Sequence, residues 1–331
     1  MSIRVASYNI EWFNHCFNAD NSLNLEDKTE QLTAVKQVLE LLQADLITII
    51  EAPNTTTTTG EQNAVTKLQN FANWANLRTT RAMIGFPSAG QQEIAILYNP
   101  DKMTVTHTPG GTDSRSNPPF NGEFYFDTDD DHIKEVYKNY RPPLEAQVQL
   151  ADGKTFRVLG VHAKSKGIFN AVDQVHLERE NRRNRLKLFA ECSWVRKRID
   201  DWLDAGYAFA VMGDINDGPE MDIYEQRYGR SAVEILMGSL FEPERILRNY
   251  IPRPQWKNYG WTPSSARFKD RITGDYINVL IDHILASPNL PIAGSQPVKI
   301  WNPYEQDDIS AYKSLFKKAS DHFPVTIDIA F

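Results

Sequence analysis

Apolar and polar positions alternate along "IRVASYNI" near the start of the chain, so successive side chains face opposite ways and the run reads as a strand. After a polar loop the period changes. In "EDKTEQLTAVKQVLELLQ", Leu32, Val35, Leu39 and Leu42 recur three and four residues apart and make one face of a helix. "ADLITIIEA" is apolar almost throughout, as a strand buried on both faces is. A helix over roughly 61–76 follows, then strands at "EIAILYN", "MTVTH", "PLEAQVQL" and "FRVLGVH". The long helix after "KGIFNAVDQ" carries Leu188, Cys192, Val195, Ile199 and Trp202 at helical spacing. "YAFAVMGDIN", "VLIDHILAS" and "FPVTIDIAF" are three more strands.

Two stretches have no period. One runs from about Thr108 to Tyr140 and includes the acidic "DTDDDH"; the other runs from about Phe241 to Asp275 and is rich in Pro, Arg and aromatic residues. Both are too long for plain connectors and read as loops around a site. Strands and helices are spread through both halves, with no repeat and no Gly/Ser linker. The expectation is one α/β domain over residues 1–331.

Composition narrows the function. The 331 residues are 41% hydrophobic and 24% charged, enough apolar material for a large core. The net charge of −7 argues against coating nucleic acid or an anionic membrane by bulk charge. A phosphate-bearing partner must instead be held by local positive charge or by a metal ion. The two cysteines, Cys16 and Cys192, are too far apart in sequence to suggest a disulfide framework or a metal-binding pair. No run of about 18 apolar residues could span a bilayer. The N-terminus reads directly as a strand, without an apolar signal core. A soluble, cytoplasmic chain is expected, a secreted form with its signal removed being the alternative.

Chemistry in α/β proteins gathers at the ends of buried strands. Here those ends carry Asn9, Glu51, His162, Asp214 with Asn216, Asp282, and Asp321 with His322. Each has an ordinary reading when taken alone. Asn9 can cap a turn, Glu51 can be a solvated strand end, and His162 can be a satisfied core histidine. "GDIND" can be a tight turn, and the Asp-His pair of "SDHFPV" can be a polar corner. Asp282 is different, because an isolated carboxylate in an apolar strand is costly without a partner. His322 or His283 could be that partner.

Taken in order, "SYNIEWF", "IIEAP", "ILYNP", "GVHAKSK", "GDIND", "IDHIL" and "SDHFPV" resemble the motif series of the endonuclease/exonuclease/phosphatase superfamily. That group contains the pancreatic-type deoxyribonucleases and abasic-site endonucleases, and the resemblance runs from the first strand to the last. It implies a four-layer α/β sandwich, with two mixed β-sheets packed face to face and helices outside. It also implies hydrolysis of phosphodiester bonds with Mg²⁺ or Mn²⁺, hard cations that favour carboxylate oxygens and water. On the resemblance, Glu51 is the metal ligand, Asp321 lies close to the metal, and Glu11 could add a further carboxylate. His322 and Asp282 form a His–carboxylate pair, Asp214 and Asn216 face the attacking water and the phosphate, and His162 donates to a non-bridging oxygen. Asn9 orients Asp214 or the phosphate. Whether Asp214 or His322 takes the water's proton stays open. Two departures from the pattern are His283, where a Tyr is common, and the lack of a Gln before Glu51.

Substrate choice is written in the loops. Arg141, Lys164 and Lys166 could meet phosphates. "ERENRRNRLK" concentrates Arg182, Arg183, Arg185 and Lys187, a run that reads as a solvated helix face or as a nucleic-acid patch. Trp256 and Trp261 could stack a base or pack in the core. A DNA or RNA nuclease is the leading expectation, with a phosphatase or a lipid or inositol-phosphate phosphodiesterase as the alternative. A non-catalytic binding module would have lost site residues, and every expected position is filled.

Overall fold

The computed structural model describes residues 2–55, 63–112, 114–168, 172–218, 226, 229–251, 263–269, 274–295 and 297–331. In chain order the elements are β1 (Ser2–Asn9), α1 (Thr29–Leu42), β2 (Leu46–Ala52), α2 (Ala64–Trp74), β3 (Arg81–Ile84), β4 (Glu93–Tyr98) and β5 (Met103–His107). Then come β6 (Phe124–Phe126), β7 (Glu135–Tyr137), β8 (Leu144–Leu150), β9 (Thr155–His162), α3 (Gln174–Asp204) and β10 (Phe209–Asp214). The last part holds α4 (Ala232–Met237), β11 (Arg248–Asn249), β12 (Ala266–Lys269), β13 (Tyr276–Val279), β14 (Asp282–Ala286), β15 (Val298–Ile300), α5 (Lys313–Ala319) and β16 (Val325–Ala330).

Twelve of the strands form two six-stranded sheets, ordered β15-β16-β1-β2-β4-β3 and β11-β14-β10-β9-β8-β5. Each is mixed in the same way. One central pair is parallel (β1 with β2, β9 with β10) and is joined through a helix, and its neighbours are antiparallel. A parallel pair needs such a crossover, because a short turn cannot return the chain to the same end of the sheet.

Strand alternation assigns the faces of the second sheet. Val158, Ala210, Met212, Ile284 and Ala286 point into the core shared with the first sheet. Leu159, Val161, Phe209, Val211 and Leu285 point the other way, under Leu188, Cys192, Val195, Ile199 and Trp202 of α3. The predicted apolar face of the long helix is therefore the buried one. On the opposite side of the molecule, Leu32, Val35, Leu39 and Leu42 of α1 and Phe71 of α2 join the core of the first sheet. The sheets touch closely. A Cβ on Gly160 of β9 would come within 2.9 Å of the Ile94 side chain and 3.1 Å of Thr48 in the facing sheet. Helices, sheet, sheet and helices make the four layers of an α/β sandwich.

The sequence placed the long buried strands and helices within a few residues. It missed short strands held only by neighbours, including β3, β11 and β15. Part of each aperiodic zone is ordered: β6 and β7 form a ribbon around the acidic stretch, and β12 pairs with β13. Residues 61 and 62, at the start of the predicted second helix, lie outside the described residues; the described helix is capped by Asn63, whose side chain accepts from Thr66 N at 3.0 Å. No described helix is long and apolar enough to cross a membrane. Cys16 and Cys192 are both buried and unbridged.

Candidate active site

Three predicted site residues lie in one row across the second sheet. Asp214, the last residue of β10, is opposite His162 of parallel β9 and opposite Asp282 of antiparallel β14. The preceding residue must be glycine. Gly213 has φ +144, and a Cβ there would sit 1.9 Å from the Val161 carbonyl oxygen. The absence of a side chain lets β10 run close beside β9 just before Asp214. Asn216, at φ 54, folds back so that its backbone N–H donates to Asp214 Oδ1 at 2.8 Å, while its side-chain amide donates to the Ala163 carbonyl at 3.0 Å.

The first sheet supplies the opposite wall. Asn9 ends β1, and its Nδ2 donates to Asp214 Oδ2 at 3.1 Å and lies 3.5 Å from His322 Nε2. His322 arrives just before β16 and is fixed from two sides. Ser320 Oγ donates to the Asn9 carbonyl at 2.8 Å and accepts from the N–H groups of Glu11 and His322, both at 3.1 Å. The segment 265–267 clamps the same turn, with Phe323 N donating to Ser265 O at 2.6 Å and Arg267 N to Asp321 O at 2.8 Å. His322 Nδ1 then lies 2.8 Å from Asp282 Oδ2, which also accepts from Ser265 Oγ at 2.9 Å. His162 Nε2 and His322 Nε2 approach Asp214 Oδ2 at 3.7 and 4.0 Å. Four of the predicted residues thus converge on one carboxylate.

Burial makes these charges matter. Asp214 is 2% exposed, Asp282 1% and His322 8%. Burial and the Asp282 charge push the Asp214 carboxyl up to about 7, against the opposing effect of His322. Burial alone would pull His322 down, but the charge and hydrogen bond of Asp282, with Asp214 and Asp321 behind them, hold it well above the usual histidine range. His162 goes the other way: burial, then the charges of Arg141 and His322, keep it neutral. Two histidines around one carboxylate are therefore in opposite protonation states.

A second group of carboxylates opens outward from this row. Glu51 leaves β2 at a register shift between Ile50 and Ala52, with φ 59, a conformation that costs a non-glycine residue about 1–3 kcal/mol. Its Oε2 accepts from Trp12 N at 3.0 Å. Glu11 is exposed, and partial burial followed by the charges of Asp321 and Glu51 raises its pKa. Glu11 therefore feels both Asp321 and Glu51. Among the described residues they do not form a group as tight as Asp214, Asp282 and His322, whose ligand-type atoms lie within 4.8 Å of one another.

The cationic candidates divide. Arg141 donates through Nη1 to Gln92 Oε1 at 2.6 Å and through Nη2 to the Ala163 carbonyl at 3.3 Å. Burial lowers its pKa against the pull of Glu191, Asp214 and Glu51, so it lies within electrostatic reach of both groups of acids. The backbone of Lys164 is anchored to Glu191 Oε2 at 2.7 Å, and its Nζ donates to the Ser165 carbonyl at 3.1 Å. Lys166 is drawn instead to Asp217, a fully buried carboxylate, at 2.7 Å. His283 is a satisfied core histidine, with Nε2 2.9 Å from the Asp217 carbonyl and Nδ1 3.3 Å from Asn249 Nδ2. Trp256 and Trp261 lie outside the described residues.

The sequence profile of the Endonuclease/Exonuclease/phosphatase family matches residues 6–322. The chain belongs to that family. No curated protein sequence is significantly similar to it. Among solved structures, a family protein from Bacteroides thetaiotaomicron has a TM-score of 0.53 at 14% identity, covering 100% of this chain and 98% of its own. Truncated TDP2 from Caenorhabditis elegans has a TM-score of 0.51 at 11% identity, covering 100% and 98%. A mannosyl-6-phosphatase from B. thetaiotaomicron has a TM-score of 0.50 at 13% identity, covering 99% and 100%. At these identities the likeness is one of fold.

Hydrolases of the endonuclease/exonuclease/phosphatase family are generally phosphoesterases and typically depend on a divalent metal. The open acids suit such an ion. Their donors are hard oxygens, and the nearby Asn9 Oδ1 and Asp321 Oδ1 are buried with no hydrogen-bond partner among the described residues. Sequence reasoning overlooked Ser265 and Ser320, which fix Asp282 and His322. Ser320 stood within the quoted "SDHFPV". Ser265 carried no signal, being one serine in a stretch without period.

Proposed function

We propose that the protein hydrolyses phosphodiester bonds with the help of Mg²⁺ or Mn²⁺, and that its substrate is DNA or RNA. The observation that carries this reading is the convergence of Asn9, His162 and His322 on the buried Asp214, beside the outward-facing acids. Glu51, Asp321 and Glu11 are the residues that would hold the ion. When bound, the metal supplies positive charge against the phosphate and the leaving oxygen.

The residues of the chain account for the rest. Asp214 takes the proton of the attacking water, because burial makes its carboxylate more basic than usual while Asn9 and Asn216 hold it in place. His322 is not the base in this reading: Asp282 keeps it cationic, so it donates to a non-bridging phosphate oxygen. Neutral His162 is placed to donate to another. Arg141 and Lys164 add charge on the second-sheet side. As the water oxygen bonds to phosphorus, the bond to the leaving oxygen breaks, and negative charge on the phosphate is met by donors already in place.

The test is hydrolysis of bis(4-nitrophenyl) phosphate, single- and double-stranded DNA, RNA, sphingomyelin, inositol phosphates and a sugar phosphate, with and without chelator. We expect diester and nucleic-acid cleavage that is lost on chelation and restored by Mg²⁺ or Mn²⁺. Undiminished activity in excess chelator would refute the metal assignment. Turnover of the monoesters or lipids alone would replace the nucleic-acid reading with the alternative expected from the family.

A further inference from the structure

We propose that the groove between the β6–β7 ribbon and the first half of α3 holds the phosphate backbone of the nucleic-acid strand flanking the cleaved bond. This rests on the phosphodiesterase reading above and adds a second binding region to it. The groove has a volume of about 590 Å³, and among the described residues its lining includes five cations, Lys138, Arg179, Arg182, Arg183 and Lys187, and no acid. Val136 and Leu186 give it an apolar lining. In a chain of net charge −7, this is a local concentration of the opposite sign.

Three of the cations are in register with a strand. Arg179, Arg183 and Lys187 are spaced four residues apart on α3, so they form a stripe that advances about 6 Å per step. That is close to the spacing of successive phosphates along an extended single strand. The stripe leads to the site. Lys187 Nζ lies 3.8 Å from Glu191 Oε1, and Glu191 Oε2 accepts from the backbone of Lys164, two residues past His162. The charges of Lys187 and Arg183 both act on Lys164.

The present partners of these cations do not close the groove. Arg182 pairs with Asp129 at 2.8 Å, Arg183 with Glu180 at 3.3 Å and Lys138 with Glu123 at 2.8 Å. In each pair the cation is largely exposed, and exposed pairs hold their geometry weakly. A phosphate brings a full charge and several acceptor oxygens to the same side chains. The occupant is a strand rather than a membrane surface because the cations stand on two walls of a concave groove. Arg182 also holds Asp129 of the acidic 127–131 turn, whose charges would repel a broad anionic surface.

The decisive experiment measures binding without turnover. A fluorescent twelve-nucleotide single strand is titrated in chelator at several salt concentrations, against wild type, the triple variant Arg179→Gln/Arg183→Gln/Lys187→Gln, and Lys138→Glu on the opposite wall. The triple variant should bind at least about tenfold more weakly, and its salt slope should fall by about two, since each lost single-strand phosphate contact removes about 0.7. Lys138→Glu should weaken binding about threefold. In activity assays, kcat/KM on the oligonucleotide relative to bis(4-nitrophenyl) phosphate should fall about tenfold in the triple variant. Unchanged affinity and slope, no binding by wild type, or equal losses on both substrates would overturn the proposal. So would phosphatidylserine vesicles that bind as tightly as the oligonucleotide and are lost in the same variant. If bis(4-nitrophenyl) phosphate and the oligonucleotide both go uncleaved, the phosphodiesterase reading fails while the binding assay still reports on the groove.

Discussion

The two halves of the candidate site treat carboxylates in opposite ways. On the second-sheet side, Asp214 and Asp282 are sealed in the core and held by ladder register and hydrogen bonds. On the first-sheet side, Glu11 and Glu51 face outward at the end of β1 and on a bulge, and Asp321 joins them electrostatically. Burial raises the proton affinity of Asp214 and suits it to act as a base, whereas Asp282, equally buried, is paired with His322, and the outer acids stand where a cation can reach them. Depth and partner, rather than residue type, therefore set these carboxylates apart.

The sharpest test of this contrast is on the buried side. Asp282→Asn and His322→Ala should each lower kcat/KM about a thousandfold, ~4 kcal/mol of transition-state stabilisation. Because the two act as one unit, the double variant should be little worse than the poorer single. Losses that multiply towards a millionfold would show that they act separately. Asp282→Asn should also destabilise the fold by about 3 kcal/mol, measured by denaturant unfolding, since it leaves a buried imidazolium without its counter-charge.

The open side should behave differently. Glu51→Gln should cost about a hundredfold in activity at limiting metal, ~2.7 kcal/mol, with no loss of stability in chelator, because it removes a charge that repels Glu11. Wild type should melt at higher temperature as Mg²⁺ or Mn²⁺ is added, by the usual linkage of ligand binding to folding, and Glu51→Gln should lose most of that rise. A variant that melts far below wild type in chelator would mean that Glu51 is structural.

A smaller effect separates positioning from chemistry. Ser265→Ala removes the hydroxyl that donates to Asp282 Oδ2 and should cost about tenfold, ~1.4 kcal/mol, just below the range of one hydrogen bond to a charged group. In the Asp282→Asn background it should cost almost nothing more; a full tenfold loss there would show that Ser265 does not act through the pair. The smallest effect is expected for Glu11→Gln, about threefold, read as a higher metal requirement with kcat nearly unchanged.

Much of this was legible in the residues themselves. Periodicity found the long elements because a buried face must repeat at the pitch of its helix or the pleat of its strand, as Leu188 to Trp202 do. The ordered strand-end motifs named most of the polar residues that converge. Short edge strands such as β3 and β15 were not legible, since a strand of three or four residues gains its order from the neighbour it pairs with. The same limit hid Ser265, whose importance is one oxygen placed against Asp282 across a loop.

Local sequence, then, dictated which long segments are strands and helices, which of their faces are apolar, and which of these strands end in a carboxylate, an amide or an imidazole. It could not decide depth or partnership. Lys164 and Lys166 look alike in "HAKSK", yet the fold commits Lys166 to the buried Asp217. His162 and His322 are the same residue type, yet one is neutral and the other cationic. Only when two sheets close face to face does Asp282, forty residues from His322, come within 2.8 Å of it and out of reach of water. Pairing and desolvation are properties of the packed chain, and they set Asp214, His322 and the outer acids apart from one another.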